Sequence, residues 1–184
     1  THFEAAYQVG GDFYDFLTLP GEEGRWGVVI ADVSDKGVPA ALFMALSLTT
    51  IRNIALRGRS PGEVLSWANR YIKEDSQSDM FLSVFYAELN SYSGQLTYVN
   101  AGHNPPLLWR AAEGEFHRLP ANSPLLGVLP TIDVQVKTTE IAVGDILILY
   151  TDGLSEAHNS EYDEFGIDQL EKTVRHLLAH SPNA

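Results

Sequence analysis

Apolar and polar positions change period several times along the chain, and each change predicts an element. Phe3–Gln8 and Gly11–Leu19 alternate in the manner of strands, and Pro20-Gly21-Glu22-Glu23-Gly24 supplies turn chemistry leading into a third, Trp26–Val33. Within that run Gly27-Val28-Val29-Ile30-Ala31 is almost wholly apolar, which predicts a strand covered on both faces and central in its sheet. Val38–Arg57 follows, with Pro39 tolerated in the first turn and apolar residues on most sides, so a buried helix ending near Gly58 is expected.

Ser60-Pro61-Gly62-Glu63 is a capping box with proline at the first helical position, and Val64, Leu65, Ala68, Tyr71 and Ile72 then recur at helical spacing. From Met80 the period shortens. Met80–Leu89, the turn Asn90–Gly94 and Gln95–Asn100 predict a hairpin; Leu107–Arg110, Phe116–Leu119, Val134–Ile141 and Asp145–Thr151 predict further strands. Ile167–Ala179 predicts a last helix with Leu170, Val174, Leu177 and Leu178 on one face. Strands, two helices, many strands and one helix make an α+β fold, with helices packed on a largely antiparallel sheet system. No repeat, low-complexity tract or linker marks an internal boundary.

Length and charge narrow the picture. The 184 residues suit one compact domain, and 12 Lys+Arg against 24 Asp+Glu give a net charge of −12. That field repels nucleic acid and anionic membranes. It favours a basic ligand or divalent cations. With no cysteine there is neither a disulfide framework nor a thiolate nucleophile. Uninterrupted apolar runs such as Ile146–Tyr150 are strand-length, far from the roughly 18 residues of a membrane span, so no membrane anchor is expected. The first residue is Thr and no leader follows, which reads as an excised domain.

The candidate chemistry repeats one idea, an acid beside glycine near a strand end. Asp12 follows Gly10-Gly11, Asp32 ends the apolar strand with Gly37 soon after, and Asp152-Gly153 follows Ile146-Leu147-Ile148-Leu149-Tyr150-Thr151. A carboxylate at the tip of a buried strand is costly to desolvate unless a cation compensates it. Few Lys or Arg lie nearby in sequence, and hard oxygen donors select Mg²⁺, Mn²⁺ or Ca²⁺. Asp before Gly is also ordinary turn chemistry, so spacing alone leaves both readings open.

Four blocks carry a family likeness: Val9-Gly10-Gly11-Asp12-Phe13-Tyr14-Asp15; Ala31 through Ala41; Tyr98-Val99-Asn100-Ala101-Gly102-His103-Asn104-Pro105-Pro106; and Gly144-Asp145 through Tyr150-Thr151-Asp152-Gly153-Leu154-Ser155-Glu156-Ala157. In this order the chain resembles the SpoIIE/RsbU-type branch of the metal-dependent (PPM, type 2C) serine/threonine phosphatases. The resemblance implies a four-layer αββα sandwich of two largely antiparallel sheets flanked by helices. It implies two Mn²⁺ or Mg²⁺ ions between the sheets, with Asp12, Asp32 and Asp152 as metal-binding aspartates, Asp32 shared by both ions, and Val33 contributing a backbone carbonyl. Hydrolysis of phosphoserine or phosphothreonine by a metal-activated water would then need no cysteine.

The same resemblance implies a cytoplasmic signalling protein, a phosphorylated anti-sigma-factor antagonist as substrate, and a sensory or receiver domain in the same parent chain. A homodimer is compatible with it. In the family a further strand after the last helix carries another metal-binding Asp. This chain stops at Ser181-Pro182-Asn183-Ala184, so residues 1–184 read as a single domain lacking its C-terminal strand.

Other titratable residues are expected to do ordinary work. Strand alternation sets Asp15 on the side of Phe13 rather than Asp12. Asp35 and Lys36 read as a loop charge pair, and His103 as a histidine locking a tight loop. His176 and His180 stand four apart on the last helix but lack a third zinc ligand; Glu156 and Asp163 read as solvated loop acids. Two rival functions remain, a phosphatase-like interaction domain without turnover and a glycosidase with paired carboxylates. Mn²⁺-dependent cleavage of a phosphate ester separates the first reading from both.

Overall fold

The computed structural model describes residues 10–75 and 80–180. The expected strand Phe3–Gln8 lies outside the described residues. Two compact units divide the chain, Thr1–Leu149 and Tyr150–Ala184.

The first unit begins with β1 (Phe13–Thr18), β2 (Arg25–Val33), α1 (Val38–Ala55) and α2 (Pro61–Asp75). It continues with β3 (Leu82–Asn90), β4 (Gln95–Ala101), β5 (Leu107–Arg110), β6 (Glu115–Arg118), β7 (Lys137–Glu140) and β8 (Ile146–Ile148). β1-β2-β3-β4-β7 form a five-stranded sheet and β6-β5-β8 a three-stranded one. Every pairing is antiparallel. The fold is thus α+β with two antiparallel sheets, as the period changes predict.

Alternation along β2 and β3 splits the interior into two cores. Val29, Ala31, Val33, Val84 and Tyr86 point to one face and pack with Phe43, Ile51, Ile54, Val64, Leu65 and Ile72 of α1 and α2. Ile30, Phe85, Ala87 and Tyr98 point to the other, where Leu119, Leu147 and Leu149 meet them from around the smaller sheet. Each fully buried Leu, Ile or Phe contributes about 1.5–3 kcal/mol of burial free energy, which makes β2 and β3 the rigid axis of the unit.

α2 starts as the capping box predicts: the Ser60 N–H donates to Glu63 Oε2 at 3.0 Å and the Ser60 hydroxyl at 2.8 Å. These bonds, the hydroxyl's first, hold the Glu63 carboxyl below its ordinary pKa.

α1 differs from its expectation. Ala40, Phe43, Ser47, Ile51, Ile54 and Ala55 are buried, while Val38 and Leu42 are 66% and 69% exposed and Leu46 is exposed beside them. An amphipathic period was hidden because both faces are apolar. By length and composition α1 is also apolar enough to cross a bilayer, which a count of uninterrupted apolar runs misses because Ser47, Thr49 and Thr50 interrupt it. One third of it is buried within the protein.

Two strands are also shorter than expected. β7 covers only Lys137–Glu140 of the expected Val134–Ile141, because Gln135 is held by Ser123 instead of a ladder: its N–H donates to Ser123 Oγ at 2.9 Å. β8 covers Ile146–Ile148 of the expected Asp145–Thr151, since it pairs only with Leu107–Trp109 of the short β5. Asp145 is drawn into the preceding turn instead.

The second unit holds α3 (Asp152–Ser155), which the periodicity does not predict, and α4 (Gly166–His180). Between them His158 and Glu164 form an antiparallel bridge, and Asn159 Oδ1 accepts the N–H groups of Glu161 and Asp163 at 2.8 and 3.0 Å. On α4 Leu170 is buried and Val174 and Leu178 are half-buried, but Leu177 is exposed, contrary to its expected place on the packed face.

Candidate functional site

β1 and β2 pair with Phe13 opposite Ala31 and Tyr14 opposite Ile30. One step further along this register Asp12 stands opposite Asp32, and a second step sets Gly11 opposite Val33. Close packing supports that extension: a Cβ built on Gly11 would lie 3.3 Å from Val33 Cβ and 3.4 Å from its carbonyl oxygen. A larger residue at position 11 would crowd the end of β2. Glycine therefore lets Asp12 approach Asp32.

Directly opposed residues of antiparallel strands share a face. Asp12 and Asp32 share parity with Ile30, so they lie on the face that carries the inter-sheet core, at its edge, and both are half-buried. Asp15 has the opposite parity, as strand alternation predicts, and it makes an ion pair with Arg52 of α1 that the sequence did not suggest. It belongs to helix packing, not to the carboxylate pair.

Across β2 and β3, Asp32 is the register partner of Ser83. Ser83 Oγ lies 2.8 Å from His103 Nδ1. His103 is 3% exposed, and its backbone N–H donates to Asn100 Oδ1 at 2.8 Å. Asn100 is wholly buried: its Nδ2 donates to the Leu119 carbonyl at 3.0 Å, and its own N–H donates to Asn122 Oδ1 at 2.9 Å. The Gly-His-Asn loop is thus locked by hydrogen bonds. Sequence reasoning found His103 but missed Ser83, because only the strand register sets that serine opposite Asp32.

The donor set on these strand ends is two carboxylates with the Val33 backbone beside them. All are oxygen donors and two carry charge, which fits a hard divalent cation. Among the described residues no group of three His, Cys, Asp or Glu side chains is arranged to hold an ion. Asp12 and Asp32 therefore stand as a pair. Asp152 belongs to the second unit, where it is the first residue of α3 rather than the end of a strand. It is half-buried, and its carbonyl accepts the Glu156 N–H at 2.7 Å.

The remaining candidates sit outside this pair. Lys36 N–H donates to Asp35 Oδ1 at 2.8 Å in an exposed loop. Glu156 and Asp163 are exposed, His180 Nδ1 lies 2.7 Å from the His176 carbonyl, and among the described residues no third ligand joins the two histidines.

Two antiparallel sheets with helices packed on the larger one are the architecture this chain shares with the PP2C phosphatase domain of SpoIIE from Bacillus subtilis, at a TM-score of 0.74 and 18% identity over 93% of this chain and 49% of that one. The family model described as Stage II sporulation protein E (SpoIIE) matches residues 22–184. The chain belongs to this family, in its SpoIIE/RsbU-type branch. It is 32% identical to the phosphoserine phosphatase RsbU of Bacillus subtilis (strain 168) over 151 residues, covering 82% of this chain and 44% of RsbU. The phosphoserine phosphatase RsbP of the same organism is 30% identical over 88% of this chain and 40% of RsbP. The chain thus spans less than half the length of these curated relatives. Among solved structures, that of the RsbU and RsbW domains of Rv1364c from Mycobacterium tuberculosis matches with a TM-score of 0.80 and 26% identity, covering 96% of this chain and 48% of that one.

Proposed function

We propose that this domain is a metal-dependent protein serine/threonine phosphatase that hydrolyses phosphoserine or phosphothreonine on a bacterial signalling protein. The observation that carries the reading is the β1–β2 register, which extended by one step sets Asp12 opposite Asp32, in a chain of the SpoIIE family. These two carboxylates and the Val33 carbonyl would hold Mn²⁺ or Mg²⁺, and the family resemblance adds Asp152 as a ligand and a second ion to this reading. When bound, such ions polarise the phosphoryl group and lower the pKa of water enough for it to attack phosphorus at neutral pH. Asp12 and Asp32 supply the negative charge that keeps the ion from solvent, and Gly11 keeps their strand ends in contact.

The absence of cysteine agrees with direct attack by water. The names of RsbU and RsbP support phosphoserine as the reacting group. The reading extends to a phosphorylated anti-sigma-factor antagonist as substrate, a sensory or receiver domain in the same parent chain, and a cytoplasmic location. The test is release of phosphate from a phosphoseryl protein or peptide. Turnover requires Mn²⁺ or Mg²⁺ and ceases with EDTA; undiminished turnover in excess EDTA overturns the proposal.

A further inference from the structure

Resting on that metal reading, we propose that Ser83 and His103 are positioning residues for Asp32, forming a hydrogen-bonded relay that fixes how its carboxylate is presented to a divalent cation. The register sets Ser83 directly across from Asp32. Opposed side chains on antiparallel strands have Cβ atoms about 4.5–5.5 Å apart, within reach of a hydroxyl-to-carboxylate hydrogen bond. Ser83 is in turn held by His103 Nδ1 at 2.8 Å, and His103 by Asn100 Oδ1. Asn100 is fixed on three sides, since its carbonyl also accepts the Asn122 and Ser123 N–H groups at 2.9 and 3.1 Å. A rigid buried loop therefore reaches across two strands to the partner of a candidate metal ligand.

The direction of the relay follows from counting protons. A serine hydroxyl has one to donate. With the imidazole proton on Nδ1, His103 donates to Ser83 Oγ and leaves the hydroxyl proton for Asp32. With the proton on Nε2, the hydroxyl donates to Nδ1 and has nothing left for the carboxylate. The proposal therefore specifies the Nδ1-protonated tautomer. Carboxylates that ligate metals are themselves held by hydrogen bonds, and loss of such a partner typically weakens metal binding 10–100-fold.

Calorimetric titration of Mn²⁺ into the wild type, Ser83→Ala, His103→Ala, His103→Asn and the Ser83→Ala/His103→Ala double variant tests this. Thermal melting in EDTA confirms that each is folded. Ser83→Ala and His103→Ala each weaken Mn²⁺ binding about tenfold or more, and the double variant is no weaker than the poorer single one, because both break the same relay. His103→Asn, whose amide can stand in for Nδ1–H, recovers most of the affinity. Two-bond proton–nitrogen NMR of the folded protein finds His103 protonated on Nδ1. Binding by Ser83→Ala within twofold of a wild type that does bind Mn²⁺, or an Nε2-protonated His103, overturns the relay alone. A wild type that binds no Mn²⁺ overturns the metal reading and the relay with it.

Discussion

Asp145 follows Gly144 at the start of the last sequence block that carries the family likeness, and the structure gives it a mechanical task whose loss can be measured. Its side chain is 3% exposed and accepts three hydrogen bonds: from Arg110 Nη1 at 2.7 Å, from the Ala111 N–H at 2.9 Å and from the Ala142 N–H at 3.0 Å. Arg110 Nη1 also donates to the Glu140 carbonyl at 2.6 Å. One carboxylate thus ties the end of β5 to the β7–β8 turn. Asp145→Ala leaves a guanidinium only 21% exposed and two N–H groups without this acceptor. Breaking a buried pair costs about 3–5 kcal/mol, and the residual access of Arg110 to water favours the lower end, about 3 kcal/mol. For a domain of this size that is a fall in Tm of about 6–12 °C. Asp145→Asn keeps the shape and one acceptor oxygen and costs about 1–2 kcal/mol.

The pH dependence carries a definite sign. Burial alone would raise the Asp145 pKa, but the Ala142 and Ala111 N–H groups and Arg110 outweigh it and hold the carboxyl below its ordinary value. A group depressed in the folded state adds stability that is complete above its unfolded pKa of about 3.9 and is lost as pH falls toward the folded value. Urea denaturation of the wild type and both variants with unchanged m-values, at pH 7 and at intervals below pH 5, measures both effects. The wild type loses stability on acidification more steeply than Asp145→Asn. An alanine variant within about 1 kcal/mol of wild type at pH 7 would refute the reasoning.

Two further substitutions probe the turn chemistry and the carboxylate pair. Gly94→Ala forces a side chain onto a residue at φ 73° whose Cβ would lie 2.4 Å from the Ile141 carbonyl oxygen, so a loss of about 2 kcal/mol or more is expected in urea melts, and an unchanged midpoint would contradict the turn geometry. Asp32→Asn removes the repulsion between two facing carboxylates, about 1 kcal/mol in water-like surroundings and about 3 kcal/mol at an effective dielectric constant of about 20. In EDTA its Tm should rise, and in Mn²⁺ it should gain less than the wild type; a fall in EDTA would refute the pairing.

Much of the fold was legible because its signals are local. The run Val28-Val29-Ile30-Ala31 has to be a central strand, and Ser60-Pro61-Gly62-Glu63 fixes the start of α2 whatever surrounds it. What was not legible depends on partners. β8 is short because β5 offers it three residues, and Val134–Val136 leave the ladder because Ser123 engages Gln135. α1 reads as buried on all sides until packing shows which apolar side stays in water. The same holds for the site: an acid beside glycine is visible at Asp12 and Asp32, but their facing, and the arrival of Ser83 on the same row, are properties of register. Asp152 is a candidate through its sequence block, and its place at the head of a helix was not legible because four residues are too few for a helical period to show.

The most direct test of the central claim is phosphate release from a phosphoseryl peptide by the wild type and by Asp32→Asn, each with saturating Mn²⁺ and again with EDTA, with circular dichroism confirming both folds. The account predicts Mn²⁺-dependent turnover by the wild type, none in EDTA, and a fall of at least about a hundredfold in Asp32→Asn, equivalent to about 2.7 kcal/mol in the barrier. A folded Asp32→Asn that retains half the wild-type rate would contradict it.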